Sequence, residues 1–317
     1  MEIILHLGAH RSALTSFQHY LHKNGARLAA SGIGVWGPPL TRTGLMQGVL
    51  PRPGLKSAAQ QASRARGRIA LALAQAEEAG MRQLIVTDPN MIGTPRGALS
   101  SRALYPAIGQ QMARFGAAFG GRVVRVALSV RAQDAWWASC IAFAVARGAC
   151  VPSARHLAQI AATTRSWRDV IADLSCALPE AELLIMPHEA FAARPEARLS
   201  ALTALQGAPM THAREWLNRG PDLSALRRAV FERGGDVGAL PQGHGAWMPF
   251  SRDDCATLRE AYLDDLFWLR AGAGGLATLM EEPGRDRAGP TPPVPAGKKG
   301  RDHDQEGARR LAQAGRS

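Results

Sequence analysis

Short, almost wholly apolar strands alternate along this chain with amphipathic helical stretches. Residues 2–7 read Glu-Ile-Ile-Leu-His-Leu, residues 84–87 Leu-Ile-Val-Thr, and residues 182–186 Glu-Leu-Leu-Ile-Met. The longest such run, 122–130, is rich in valine. A strand apolar on both faces must be covered on both faces, and strands separated by helices pair in parallel. The expected fold class is therefore α/β, with three layers and a central, mostly parallel sheet between helices. Helical spacing predicts helices over 12–30, 55–79, 104–119, 134–147, 154–178, 196–206, 223–233 and 252–270. Gly80 and the pair Gly120 and Gly121 stand where helix stops are expected. Residues 31–54, rich in Gly and Pro, read as an irregular loop.

Residues 1–282 are expected to form one α/β domain. Residues 283–317, with Pro290, Pro292, Pro293 and Pro295 followed by Gly and charged residues, have little to bury and read as a disordered basic tail. Charge needs the same scrutiny, because a net charge of +12 invites a nucleic-acid reading. Only four of the 38 basic residues are lysine (Lys23, Lys56, Lys298 and Lys299), so the excess is arginine beside abundant Ala and Gly. That pattern fits a coding bias as well as an anionic partner, and no nucleic-acid partner is expected. The first residues have no basic start and only a short apolar run, so no secretory signal is read there. No run approaches the length of a membrane span. A cytoplasmic location is expected. The cysteines Cys140, Cys150, Cys176 and Cys255 show no paired spacing for a thiolate metal site.

Two motifs carry chemistry. The first is the turn after the first strand, Gly8-Ala9-His10-Arg11-Ser12-Ala13-Leu14-Thr15-Ser16. A strand, a turn of small residues and a helix N-terminus together make an anion site, because backbone N–H groups and the helix dipole point at the ligand. Set against G-x-x-x-x-G-K-[ST], Gly8 and Thr15 fit, Ala13 replaces the second glycine, and Leu14 replaces the lysine. The missing lysine counts against an NTPase or a phosphate-loop kinase. The second motif is Arg131, ending the strongest strand, with Ser139 eight residues on. A guanidinium and a hydroxyl converging there could clamp a phosphate. Each motif alone also fits a plainer reading: a turn that binds nothing, and an arginine paired with Asp134.

Together, the two motifs resemble the sulfotransferases that use 3′-phosphoadenosine 5′-phosphosulfate (PAPS), in particular a bacterial branch of that P-loop superfamily. The resemblance rests on His10–Ser16 and on the Arg131/Ser139 pair. It is specific over residues 1–30 and 123–148, and loose over 80–122 and 180–272. It implies a P-loop-type fold and PAPS as sulfuryl donor. It also implies transfer to a hydroxyl or amine of a small-molecule, glycan or lipid acceptor, without a metal. Gly8, Arg11, Ser12, Ala13, Leu14, Thr15 and Ser16 would then hold the 5′-phosphosulfate, and Arg131 and Ser139 the 3′-phosphate. Arg11 would take the family lysine's place at the leaving phosphate. His10 and Asp88 are the candidates for the general base. Arg233, in a stretch that faintly echoes a nucleotide-closing loop, is a further cofactor-binding candidate. Arg11, Ala13 and Leu14 depart from the family's lysine, glycine and threonine. The alternative is therefore a member of the fold that binds a nucleotide or partner without turnover. The acceptor would be met by loops 31–54 and 234–250. One of Trp136 and Trp137 reads as core and the other as packed against a neighbouring helix; His19 and His22, three apart on the first helix, could ligate a metal but read as exposed helix residues.

Overall fold

The computed structural model describes residues 1–281. The chain begins with β1 (Glu2–His6), then α1 (Leu14–Lys23), α2 (Gly25–Ala30) and β2 (Ile33–Trp36). A short turn, α3 (Pro38–Leu40), precedes the long α4 (Ala58–Glu78) and β3 (Gln83–Thr87). Then come α5 (Pro95–Ser101), α6 (Ile108–Ala118), β4 (Val123–Val130) and α7 (Gln133–Ala146). Next are α8 (Ala154–Ala161), α9 (Trp167–Ala177) and β5 (Glu182–Pro187). A turn α10 (His188–Phe191), then α11 (Pro195–Thr203), α12 (Leu223–Glu232), α13 (Arg252–Arg270) and β6 (Thr278–Leu279) complete the described part.

All six strands are parallel, in the order β2-β3-β1-β4-β5-β6. The period-two alternation of the strands divides the core. Ile3, Leu5, Leu84, Val86 and Leu128 face a large layer that includes α4, α6, α7, α9 and α13. Ile4, Ile85, Ala127, Leu184 and Met186 face a smaller layer of α1, α2 and α11. The three-layer expectation holds, and Met1–Glu282 form one unit. The proposed disordered tail lies outside the described residues, among which no helix is long and apolar enough to cross a membrane.

Differences from the expected elements have local causes. The stretch read as irregular loop contains β2, whose Gly34 packs closely on Leu84, with Leu84 Cδ1 3.1 Å from where a Cβ would stand. β6 is two residues long and pairs with Leu184 and Ile185 of β5. The predicted helix 12–30 breaks at Asn24. This buried side chain donates to the Tyr20 carbonyl at 2.9 Å and to the Thr211 carbonyl at 3.1 Å. The predicted helix 154–178 breaks before Ser166. That residue and Asp169 form a reciprocal cap on α9, and Asp265 of α13 accepts from the Ser166 hydroxyl (2.7 Å) and the Trp167 N–H (2.8 Å). α4 begins with the same device, Ser57 with Gln60. Gly80, at φ +80°, ends α4 in the left-handed conformation that glycine tolerates best.

Candidate functional site

An open cleft of about 920 Å³ lies beyond the carboxyl ends of the central strands. The helix after β1 packs on one face of the sheet, and the helices between β3 and β4 pack on the other. The chain therefore parts at this point, and such switch points are where parallel α/β sheets leave room for ligands. The walls come from the turns after β1, β3, β4 and β5, and from a segment near 216–222.

The first wall is the β1–α1 turn. It continues the sheet briefly, with Leu7 N–H donating to Ala127 O and Ala9 N–H to Ser129 O, both at 2.9 Å. It then turns through three left-handed residues: Gly8 (φ +46°), Arg11 (φ +64°) and Ala13 (φ +63°). Ala13 thus adopts the positive φ that its side chain disfavours, the conformation a glycine would take without strain. Leu14 folds back over Gly8, where a Cβ would stand 2.6 Å from its Cδ2. The N-terminus of α1 has no side-chain cap, so its first-turn N–H groups lack both intrahelical acceptors and a capping oxygen. Thr15 lines the cleft. Ser12 turns inward, its hydroxyl donating to Ala9 O. Ser16 is buried and engaged, its oxygen accepting the Leu217 N–H at 2.9 Å.

Aromatic packing fixes this turn from behind. Trp136 and Trp137 are both fully buried. The Trp136 indole N–H donates to His10 O, and that of Trp167 to Arg131 O, each at 2.8 Å. Tyr105 packs between both indoles and the His10 ring.

Arg11, Arg131 and Ser139 come together directly. Arg11 Nε donates to Ser139 Oγ at 3.1 Å, and Arg131 Nη1 donates to Arg11 O at 2.7 Å. The Arg11 and Arg147 guanidiniums both lie on the Phe143 ring, at 5.1 and 3.7 Å from its centroid. A Cβ on Gly220 would stand 3.3 Å from Arg11 Nη2, so this glycine permits the close approach of segment 216–222. Burial lowers the proton affinity of Arg11, and the neighbouring Arg131 and Arg147 charges lower it further. Burial does the same for Arg131, against the pull of Glu189. Among the described residues none of these three arginines forms an ion pair; Asp134, the alternative partner of Arg131, is held by Arg259.

The two base candidates differ. His10 lines the cleft, with Nδ1 2.9 Å from the Tyr105 hydroxyl and Nε2 3.3 Å from Asn90 Oδ1. Burial outweighs the Asn90 bond and nearby Asp88, and brings the His10 pKa down to about 4. Asp88 is buried and fully engaged. It accepts Arg42 Nε (2.9 Å) and Nη2 (2.7 Å), the Thr41 hydroxyl (2.7 Å) and the Asn90 N–H (3.0 Å). Burial raises its pKa, but these bonds together win and hold the carboxyl below its ordinary range. Its place is that of a clamp joining the loop after β2 to the turn after β3. Arg233 stands apart from the cleft walls and donates to the carbonyls of Val145 and Ala149 at the end of α7.

Other cleft residues were not singled out in the sequence. His188, directly after β5, has a buried Nδ1 without a partner, and burial with nearby Arg131 takes its pKa to about 4. Asn90, Tyr105, Arg147 and Gly220 join the site only through tertiary contacts, and their local sequence carries no motif. No family model, no curated protein and no solved structure matches the chain.

Proposed function

We propose that this cleft binds a nucleotide carrying two separate anionic groups, and that the chain is a PAPS-dependent sulfotransferase. The observation that carries the reading is the linkage of Arg131 to Arg11 and of Arg11 to Ser139, with Arg147 on the Phe143 ring that Arg11 shares, none of the three in an ion pair among the described residues, beside the uncapped start of α1. Arg11 and Arg131 are partly buried, and guanidiniums there without an ion pair are costly unless an anion completes them; Arg147 is exposed. One anionic group fits the N–H groups of the α1 first turn with Arg11, and the other fits Arg131 with Ser139. This donor set suits a 5′-phosphosulfate and a 3′-phosphate on one ribose. It suits a magnesium-bound triphosphate less well, because Leu14 occupies the lysine position. The only carboxylate lining the cleft among the described residues, Asp222, caps α12.

The donor supplies an activated sulfuryl group, whose bond to the phosphate oxygen breaks as a bond to the acceptor oxygen or nitrogen forms. Arg11 neutralises charge on the departing phosphate. Arg131 and Ser139 hold the far end in register, so the reacting groups stay in line. His10 is neutral at pH 7; in the tautomer that donates Nε2–H to Asn90 Oδ1, Nδ1 accepts the Tyr105 hydroxyl, and Nε2 becomes free to take the acceptor's proton when the ring instead donates from Nδ1 to Tyr105. The low proton affinity of His10 rises when an anion sits beside it.

The test is transfer of labelled sulfuryl groups from PAPS to a panel of hydroxyl and amine acceptors. Transfer that disappears in Arg11→Ala and His10→Ala supports the enzyme. Nucleotide binding without transfer to any acceptor would make the chain a binder of the same fold, and absence of both would end the reading.

A further inference from the structure

A strap, residues 209–218, runs along α1 from its end to its start. Tyr20 donates to Pro209 O at 2.7 Å, Thr211 to Asn24 Oδ1 at 2.7 Å, and Asn218 to Thr15 Oγ1 at 3.4 Å. Midway along it, three ligand-type side chains converge from the two segments. Glu215 takes His19 Nε2 on one carboxylate oxygen and His212 Nδ1 on the other, each at 2.6 Å. The three donor atoms lie within 4.8 Å of one another.

We propose that His19, His212 and Glu215 form a zinc site that fastens the strap to α1. Two imidazoles and one carboxylate, with a fourth position open to water, are a donor set for Zn²⁺, and a poor one for Mg²⁺ or Ca²⁺. Donor atoms around a tetrahedral zinc stand roughly 3.4 Å apart. Around zinc the two nitrogens would open from their 2.6 Å contacts with Glu215 while the widest pair, within 4.8 Å now, closes, shifts of about an ångström for side chains that are partly exposed at the surface. The cation takes the place of the hydrogens that the two imidazole nitrogens turn toward Glu215. His212 is held ready by a left-handed backbone (φ +62°), a conformation in which histidine is enriched among non-glycine residues. His22, the neighbour that sequence spacing pairs with His19, stands outside the cluster.

The position gives the site a consequence. The strap continues into residues 216–220, which wall the cleft and bring Gly220 against Arg11. Zinc would therefore steady that wall. This consequence rests on the cleft being a ligand site, whereas the metal site itself does not.

The test is calorimetric titration of the chelator-treated full chain with ZnCl2, with MgCl2 as control. One zinc per chain at micromolar affinity is expected, with a rise in Tm and no response to magnesium. Changing residues that merely support a zinc ligand already costs about 10–100-fold in affinity. His212→Ala and Glu215→Gln should therefore weaken zinc binding by at least about 100-fold. Because the residues are exposed, the metal-free Tm should stay near that of the parent. His22→Ala should bind as the parent does. Cobalt substitution gives a second readout, an intense visible band from a tetrahedral ion that Glu215→Gln removes. Absence of zinc binding, or binding that survives both ligand substitutions, would overturn the proposal. Neither result bears on nucleotide binding, which is measured separately.

Discussion

Replacing Asp88 with asparagine separates a structural carboxylate from a catalytic one. The wild-type side chain accepts four hydrogen bonds while 4% exposed, two of them from one guanidinium. Asparagine keeps one carbonyl acceptor, enough for Thr41 or the Asn90 N–H, and turns an NH2 group toward Arg42. The charge-assisted pair is lost, and such bonds are worth about 1.5–3 kcal/mol each. Arg42 is 47% exposed and recovers water, which reduces the penalty. The net cost is about 3 kcal/mol, or a fall in Tm of roughly 5–8 °C for a domain of this size. The assay is thermal unfolding by circular dichroism, with nucleotide affinity measured in parallel and Arg42→Met as the second corner of a double-mutant cycle. The two substitutions should be strongly non-additive, because either one dissolves the pair. The acid limb carries the same signature. Asp88 is held below its ordinary pKa, so its contribution is present above the unfolded carboxyl's pKa and is lost as pH falls through the folded value. Asp88→Asn should flatten that loss. A Tm within about 1 °C of the parent, together with abolished turnover, would refute the clamp and make Asp88 a catalytic group.

Ala13→Gly should raise stability, because glycine relieves left-handed strain of about 1 kcal/mol or more at φ +63° that outweighs its greater unfolded-state freedom; chemical denaturation measures the sign. Tyr105→Phe removes the hydroxyl that accepts the His10 N–H at 2.8 Å, and should cost about 1–3 kcal/mol while lowering kcat more than it raises KM. His6, His10 and His188 are all held below the ordinary histidine pKa, chiefly by burial, the latter two at about 4. The unfolded chain therefore binds more protons than the folded one between pH 6.5 and 4, so stability falls as pH drops through that window, and His10→Gln should reduce the slope.

The sheet was legible because its strands are apolar on both faces, a pattern that little else produces. Four of the six strands could be placed from sequence to within a residue or so at each end. β2 and β6 were not, because Gly34 interrupts one and the other is too short to carry a period. Helix breaks at Asn24 and before Ser166 depend on partners nearly 190 and 100 residues away, Thr211 and Asp265, which no local window contains. In the site, the motif residues Arg11, Arg131 and Ser139 were readable from order and spacing, and they meet in the structure. Arg233, the further cofactor-binding candidate, is not among the residues lining the cleft. Its guanidinium caps α7 instead. Tyr105, His188, Gly220 and the strap along α1 could not be read, because each acquires its place from the sheet order and not from its neighbours in sequence.

The central claim is that Arg11 and Arg131 serve two anionic groups of one nucleotide. Calorimetric titration with adenosine 3′,5′-bisphosphate and with ADP, on the parent and on Arg131→Ala, tests it most directly. The parent should bind the 3′-phosphorylated nucleotide at least about tenfold more tightly than ADP, and Arg131→Ala should lose about 1.5–3 kcal/mol for the bisphosphate with little change for ADP. Equal affinity for the two nucleotides, or an Arg131→Ala protein that still prefers the 3′-phosphate, would contradict it.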